Sequence, residues 1–252
     1  MVDSVLDKVY QDCWGSPAPL NDRTNKNGDE HPSDISISFA YFQEEREQAL
    51  RDYKVTIEYK HLKSHAPGGV YLVPSLNDLR TFFGVIFVRR GPYTNGIFKF
   101  VLKLPPTYND VNQHPRIVFT SAVYNPHVDE KTGELDIKSA YPKWDPSKHY
   151  LVTVLTFTKK IFYAKDFSDA YANTEAKKLA KEDPATYRKK VDECVGLSQK
   201  KAFANMEGST AKFTEEVLGH RVLRDLLKAN VREPTQVSKQ AVLSMIEKAS
   251  KV

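Results

Sequence analysis

Four short runs of β-branched and aromatic residues follow one another closely in the middle of this chain, at Val70–Val73, Thr81–Arg89, Ile97–Leu104 and Arg116–Phe119. The segments between them carry turn residues: Asn77-Asp78, Gly91-Pro92-Tyr93-Thr94-Asn95-Gly96 and Pro105-Pro106. They are too short for the crossover of roughly a dozen or more residues that joins parallel strands, so an antiparallel meander is expected. In the third run Ile97, Lys99, Val101 and Lys103 share one parity, and Phe98, Phe100, Leu102 and Leu104 the other. The aromatic side is expected to face the core.

Helical periodicity flanks these runs. From Tyr41 to about Tyr59, an apolar side of Phe42, Ala49, Leu50, Tyr53 and Ile57 lies beneath a Glu/Arg/Lys-rich face, and Ala66-Pro67-Gly68-Gly69 ends it. After an irregular stretch from Ser121 to Pro146, helical spacing returns at Leu151, Val154, Leu155, Thr158, Ile161 and Phe162. Asn173 is predicted to cap a further helix, and Pro184 to open another through Val191, Cys194, Val195 and Leu197. Beyond Ser198, two amphipathic helices are expected, one with Val217, Leu218, Val222, Leu223, Leu226 and Leu227. The other follows Glu233-Pro234 with Val237, Ala241, Val242, Met245 and Ile246. The fold class is α+β, divided into a flexible N-terminal arm (1–37), a core domain (38–200) and a helical C-terminal extension (201–252).

Composition narrows the function classes. The 252 residues carry 37 Lys+Arg against 32 Asp+Glu, a net +5, with the two signs interspersed. That is a mildly basic surface and no case for nucleic acid. The longest apolar runs, such as Phe82 to Val88, are strand-sized, and the N-terminus lacks a signal-peptide core, so neither membrane insertion nor export is expected. Only Cys13 and Cys194 occur, in unlike contexts, which writes neither a disulfide framework nor a metal site and leaves the cytosol as the default compartment.

Catalytic arrangements are sparse. Asp129, Glu130, Glu134 and Asp136 form an acidic cluster with nothing apolar interleaved to raise a pKa, so it reads as a solvated loop. His114, His127 and His149 lack metal-ligand spacing, and His127 reads as a structural turn histidine. Cys194 falls on the inferred core side of a late helix, the place of a small buried hydrophobe. No cofactor or metal is expected.

The order helix, meander, long loop, helices resembles the ubiquitin-conjugating enzymes over roughly Tyr41 to Leu197, and implies their fold. The resemblance is carried by Gly96-Ile97-Phe98-Lys99-Phe100 leading to Leu104-Pro105-Pro106-Thr107-Tyr108, by Tyr124-Asn125-Pro126-His127-Val128-Asp129, and by Asn173-Thr174-Glu175-Ala176. Gly133-Glu134-Leu135-Asp136 through Lys143-Trp144-Asp145-Pro146 matches without a gap, and places Asp136 where the family carries its catalytic cysteine. A carboxylate there would form a mixed anhydride that hydrolyses readily, in place of a thioester. The family's His-Pro-Asn supplies an oxyanion-stabilising amide, yet this chain reads Asn125-Pro126-His127; losing such a donor typically costs roughly 3 kcal/mol. After Tyr108 the family's Pro-Phe is replaced by Asn109-Asp110, which puts ordinary ligase docking in doubt. The resemblance thus implies a pseudoenzyme.

Among cysteine-less relatives, Val123 to Asp129 and Thr132 to Lys138 are most similar to the fused toes family, also called AKT-interacting protein. That likeness implies an adaptor joining Hook coiled-coil proteins and a Hook-interacting partner, which links endosomal or vesicle cargo to dynein transport on microtubules. It implies a cytoplasmic protein, peripheral on endosomes or microtubules through its partners. The stripe Leu218, Val222, Leu223, Leu226 and Leu227 is the candidate partner surface, or else packs back on its own domain. The rival class is a non-catalytic cofactor that helps an active conjugating enzyme build ubiquitin chains.

Overall fold

The computed structural model describes residues 32–232, with side chains from residue 41 onward except for part of the last helix. The arm's residues 1–31, Cys13 and the helix expected over Val237–Ile246 lie outside the described residues. The chain divides into two units, 1–46 and 47–252. The described part of the first is the beginning of helix α1 (Pro32–His65), which continues into the second.

Helix α1 is longer than its periodicity suggests, and starts before the arm boundary expected at residue 37. Pro32 fits a first helical position, where no backbone N–H is needed. Its stripe toward the core in the second unit is buried Val55 and Leu62 with half-buried Tyr59, whereas the expected Ala49, Leu50 and Tyr53 are exposed. Only the last turns lie on the sheet. There the Tyr59 ring stands 5.6 Å from Phe82, and its hydroxyl donates to the Leu72 carbonyl at 3.2 Å.

The meander is as expected. Strands β1 (Val70–Pro74), β2 (Thr81–Phe87), β3 (Ile97–Lys103) and β4 (Arg116–Phe119) pair antiparallel in sequence order. The register Phe82↔Leu102, Ile86↔Phe98 and Phe100↔Phe119 gathers the aromatic parity on one inner face. Gly84, opposite Phe100, leaves room for that ring, which a Cβ at residue 84 would overlap. Against this face packs α3 (Leu151–Lys160) through buried Leu151, Val154, Leu155 and Phe157, and just beyond it Phe162 stacks on Phe98 at 4.8 Å. Each such side chain contributes roughly 1.5–3 kcal/mol.

The helix starts follow the sequence signals. Asn173 Oδ1 accepts the Ala176 N–H at 2.8 Å to begin α4 (Thr174–Glu182). Asp183 Oδ1 accepts the Thr186 N–H at 3.1 Å, and Pro184 takes the first position of α5 (Pro184–Lys200). One short helix, here labelled α2 (Ile137–Ala140), interrupts the stretch expected to be irregular. Glu58, read as part of α1's polar face, is instead half-buried: its Oε2 accepts the Tyr108 hydroxyl at 2.8 Å and the Leu151 N–H at 2.9 Å. Burial raises its pKa, and the two donors partly oppose that.

The extension departs from expectation, because residues 201–217 are not helical. They cross the outer face of the sheet before α6 (Leu218–Arg232) begins. Phe213 sits 6.0 Å from Phe87, and Thr210 Oγ1 donates to the Pro74 carbonyl at 2.9 Å. The outward-facing Phe83, Val85 and Val101 are therefore buried.

The β4 edge of the sheet is covered, and the β1 edge is partly satisfied. Along β4, Phe119 N–H donates to the Gly133 carbonyl at 2.8 Å and Leu135 N–H to the Ile117 carbonyl at 2.9 Å. On β1, Val70 N–H turns back to the Pro67 carbonyl at 3.1 Å. Among the described residues no helix is long and apolar enough to cross a membrane.

Two glycines test this packing. Gly84→Ala should lose roughly 1–3 kcal/mol in denaturant unfolding, because its methyl collides with the Phe100 ring. Gly196→Ala, inside α5 with nothing within 4 Å of the added methyl, should gain roughly 0.4–1 kcal/mol.

Candidate functional site

The segment Tyr124-Asn125-Pro126-His127 leaves β4 and enters the interior, where Asn125 is 0% exposed. Its amide Nδ2 donates to Tyr93 Oη at 3.1 Å and to the Ile161 carbonyl at 3.0 Å, while Oδ1 accepts the His127 N–H at 3.0 Å. Tyr93 Oη in turn donates to the Tyr124 carbonyl at 2.5 Å and lies 2.9 Å from Tyr187 Oη. With its one hydroxyl hydrogen donated to the Tyr124 carbonyl, Tyr93 accepts a hydrogen bond from the Tyr187 hydroxyl. Burial pushes the Tyr187 phenol up to about 12, so the pair stays neutral. The Pro126 carbonyl accepts the Asn173 N–H at 3.0 Å, which fixes where α4 starts.

Asp136 reaches this turn along the β4 edge. Gly133 bends the chain at φ 72°, with its Cβ position against the Phe119 carbonyl, so a side chain is excluded there. Asp136 N–H then donates to the His127 carbonyl at 2.9 Å. Its carboxylate caps α2, with Oδ1 accepting the Ser139 N–H at 3.1 Å. The structure thus brings Asn125, His127 and Asp136 together.

His127 is enclosed, its ring 5.5 Å from Phe157 and 6.0 Å from Phe167. Nε2 lies 3.8 Å from Asp169 Oδ1, and Nδ1 is buried without a hydrogen-bond partner. Burial pushes its pKa below 6.5; Asp169 and Asp136 oppose that shift, and Lys160 and Lys177 add to it. It is thus neutral and packed in the turn.

The other sequence candidates fall away from this point. Cys194 is buried in the core from α5, and its thiol is pushed up to about 11 by burial, as fits a small hydrophobe. The acidic loop is structural and at the surface. Asp129 accepts the N–H groups of Lys131 and Thr132 at 3.0 and 2.7 Å, which pulls its carboxyl down, and Glu134 pairs with Arg116 at 2.7 Å. In the turn after β3, Asn109 faces inward, donating to the His149 carbonyl at 3.0 Å and accepting from the Trp144 indole. Val111 is the exposed apolar residue there. Leu218 opens α6 at 59% exposure and Leu223 is half-buried; the side chains of Val222, Leu226 and Leu227 lie outside the described residues. Tyr93 and Glu58, which hold the site's surroundings, carried no sequence signal beyond membership of a turn and of a charged helix face.

The model of the Ubiquitin-conjugating enzyme family matches residues 54–195. Among curated relatives, a Protein crossbronx homolog from Culex quinquefasciatus is 37% identical over 158 residues, covering 61% of this chain and 68% of the relative. A Protein AKTIP homolog from Nematostella vectensis is 38% identical over 144 residues, 57% of this chain and 48% of its own length. AKT-interacting protein from Xenopus tropicalis is 36% identical over 152 residues, 60% and 51% respectively. The chain therefore spans about half the length of these AKT-interacting relatives.

The enclosure of His127 has a pH signature. Its folded-state pKa lies below the unfolded value of 6.5, so the unfolded chain binds the proton more readily. Stability should fall as pH drops below about 6.5 and level off beneath the folded pKa. His127→Leu should remove that part of the pH dependence, read as the difference in unfolding free energy between wild type and variant from pH 7 to 5.

Proposed function

The chain belongs to the ubiquitin-conjugating enzyme family, in the fused toes branch of AKT-interacting and crossbronx proteins, and on that premise we propose that it is a non-catalytic adaptor. The observation that carries this reading is the carboxylate of Asp136. By the register of Gly133 to Pro146 it takes the catalytic cysteine's place, and it caps α2. The flanking chemistry agrees. Asn125 uses its amide on Tyr93 Oη and the Ile161 carbonyl, and His127 is packed between aromatic rings. Among the described residues the thiol is that of Cys194, buried in the core with a raised pKa.

The partners proposed are a Hook coiled-coil protein and a Hook-interacting protein, with endosomal or vesicle cargo linked to dynein. They come from the fused toes resemblance. Exposed Val217 and Leu218 at the start of α6 are compatible with a protein contact there. Affinity capture of the full chain from cells tests the reading: recovery of Hook proteins supports it, and recovery of an active conjugating enzyme instead supports the chain-synthesis cofactor.

Charging with activating enzyme, ATP and ubiquitin should give no thiol-sensitive adduct; a reducible conjugate that disappears in Cys194→Ser would overturn the assignment. Asp136→Cys alone should not approach an ordinary conjugating enzyme's rate of lysine discharge, since His127 stands where the family's oxyanion-stabilising Asn does and the turn after Tyr108 reads Asn109-Asp110 in place of Pro-Phe.

Polar substitution of Leu218, Val222 and Leu226 together should weaken Hook binding by several powers of ten, at roughly 1.5–3 kcal/mol per side chain, while the melting temperature holds. Unchanged binding by a folded variant would reject the stripe as an interface, and a collapsed melting temperature would return it to the core.

A further inference from the structure

The sheet of this chain is covered on its outer face by a piece of the same chain, residues 201–213, and that cover fits poorly. Its polar attachments are few: Lys99 Nζ donates to the Ala204 carbonyl at 3.0 Å and to Asn205 Oδ1 at 3.1 Å, and Thr210 Oγ1 to the Pro74 carbonyl. The Lys99 ammonium also sits 4.8 Å over the Phe213 ring. Asn205 braces the far end, its Oδ1 accepting the Phe213 N–H at 2.9 Å and its Nδ2 donating to the Phe213 carbonyl at 2.8 Å. Between cover and sheet lies a pocket of about 290 Å³ that opens to solvent, walled by Phe83 and Val101 below and by Met206 and Ala211 above.

Water can therefore reach the underside of the cover, which lacks the dense contacts of a close-packed interior. Lys99 adds a second weakness. Its bonds to the two oxygens are exposed to solvent, where each contributes little. The sheet below is held differently, by continuous strand pairing and the aromatic inner core. Local opening free energies follow this contrast between sparse and dense contacts.

We propose that residues 201–213 are a strap that opens as a unit while the domain stays folded, held shut by Lys99 on Ala204, Asn205 and the Phe213 ring and by Phe213 on Phe87, and that opening bares the apolar outer face around Phe83 and Val101. The face is then presented or withdrawn by the chain itself.

A thiol under the strap tests this. In full-length chain carrying C13S and V101C, reaction with 5,5′-dithiobis(2-nitrobenzoate) reports access to the covered face, since Val101 is 8% exposed. Buried Cys194 in chain carrying C13S alone reports global opening. The thiol introduced by V101C should react at least tenfold faster than Cys194, and at least tenfold slower than in denaturant. Adding N205A and F213A should speed it a further tenfold without changing Cys194. Equal rates at the two thiols in both backgrounds would mean that the face opens only on global unfolding, and a parent rate equal to that in denaturant would mean that the strap is not closed; either overturns the proposal. Should V101C fail to fold, hydrogen exchange on the unsubstituted chain decides. The Ser209 and Phe213 amides should exchange at least tenfold faster than those of Phe100 and Leu102 yet slower than free peptide, and protection equal to the strand amides, or none, overturns it.

Discussion

A buried primary amide has two donor hydrogens and an acceptor oxygen to satisfy, and Asn125 satisfies them with Tyr93 Oη, the Ile161 carbonyl and the His127 N–H. Leaving any one unmet inside the protein would cost about 1–3 kcal/mol, so the side chain is fixed in one orientation. Much of the surrounding geometry hangs on that orientation. It holds the turn from which Pro126 receives Asn173 at the head of α4 and from which the His127 carbonyl receives Asp136. It also ties the end of α3 to the Tyr93 loop before β3. Asn125 thus serves as an internal fastener, with both amide hydrogens committed inside the protein.

The sheet was legible in the sequence because its constraint is local. A period of two in Ile97 to Leu104 and connectors too short for crossovers leave one arrangement, and the register follows. The cap at Asn173 and the helix start at Pro184 were legible for the same reason. Helix α1 was misread because its burial is set by how far the sheet extends beneath it. Leu50 and Tyr53 have the right spacing but nothing to pack on, whereas Val55 and Leu62 do. Glu58 could not be found at all, since a half-buried carboxylate is identified by donors from Tyr108 and Leu151, distant in sequence.

The candidate site was half legible. The order of short motifs singled out Asp136, Asn125 and His127, and the structure brings these three side by side. The inward direction of Asn125 was not visible, because Tyr93 reads as a turn residue among Gly, Pro and Asn. The crossing segment 201–213 was invisible too: Ala, Asn, Ser and Thr show no period, and its course is set by the outward Phe87 and Lys99 of a sheet already built.

The covered β4 edge and the partly satisfied β1 edge have a consequence for how this protein can meet others. An open edge strand offers a row of unpaired backbone groups, to which any extended peptide or a second copy can add itself. Here β4 is shielded by residues 133–135, and on β1 Pro74 has no N–H to give, Val70 has turned inward, and the Leu72 and Pro74 carbonyls hold hydroxyls. Strand addition at these edges is thereby disfavoured, both as a route of recognition and as a route to stacked aggregates. Binding is left to side-chain surfaces, where specificity is written in shape and charge rather than in the backbone all proteins share.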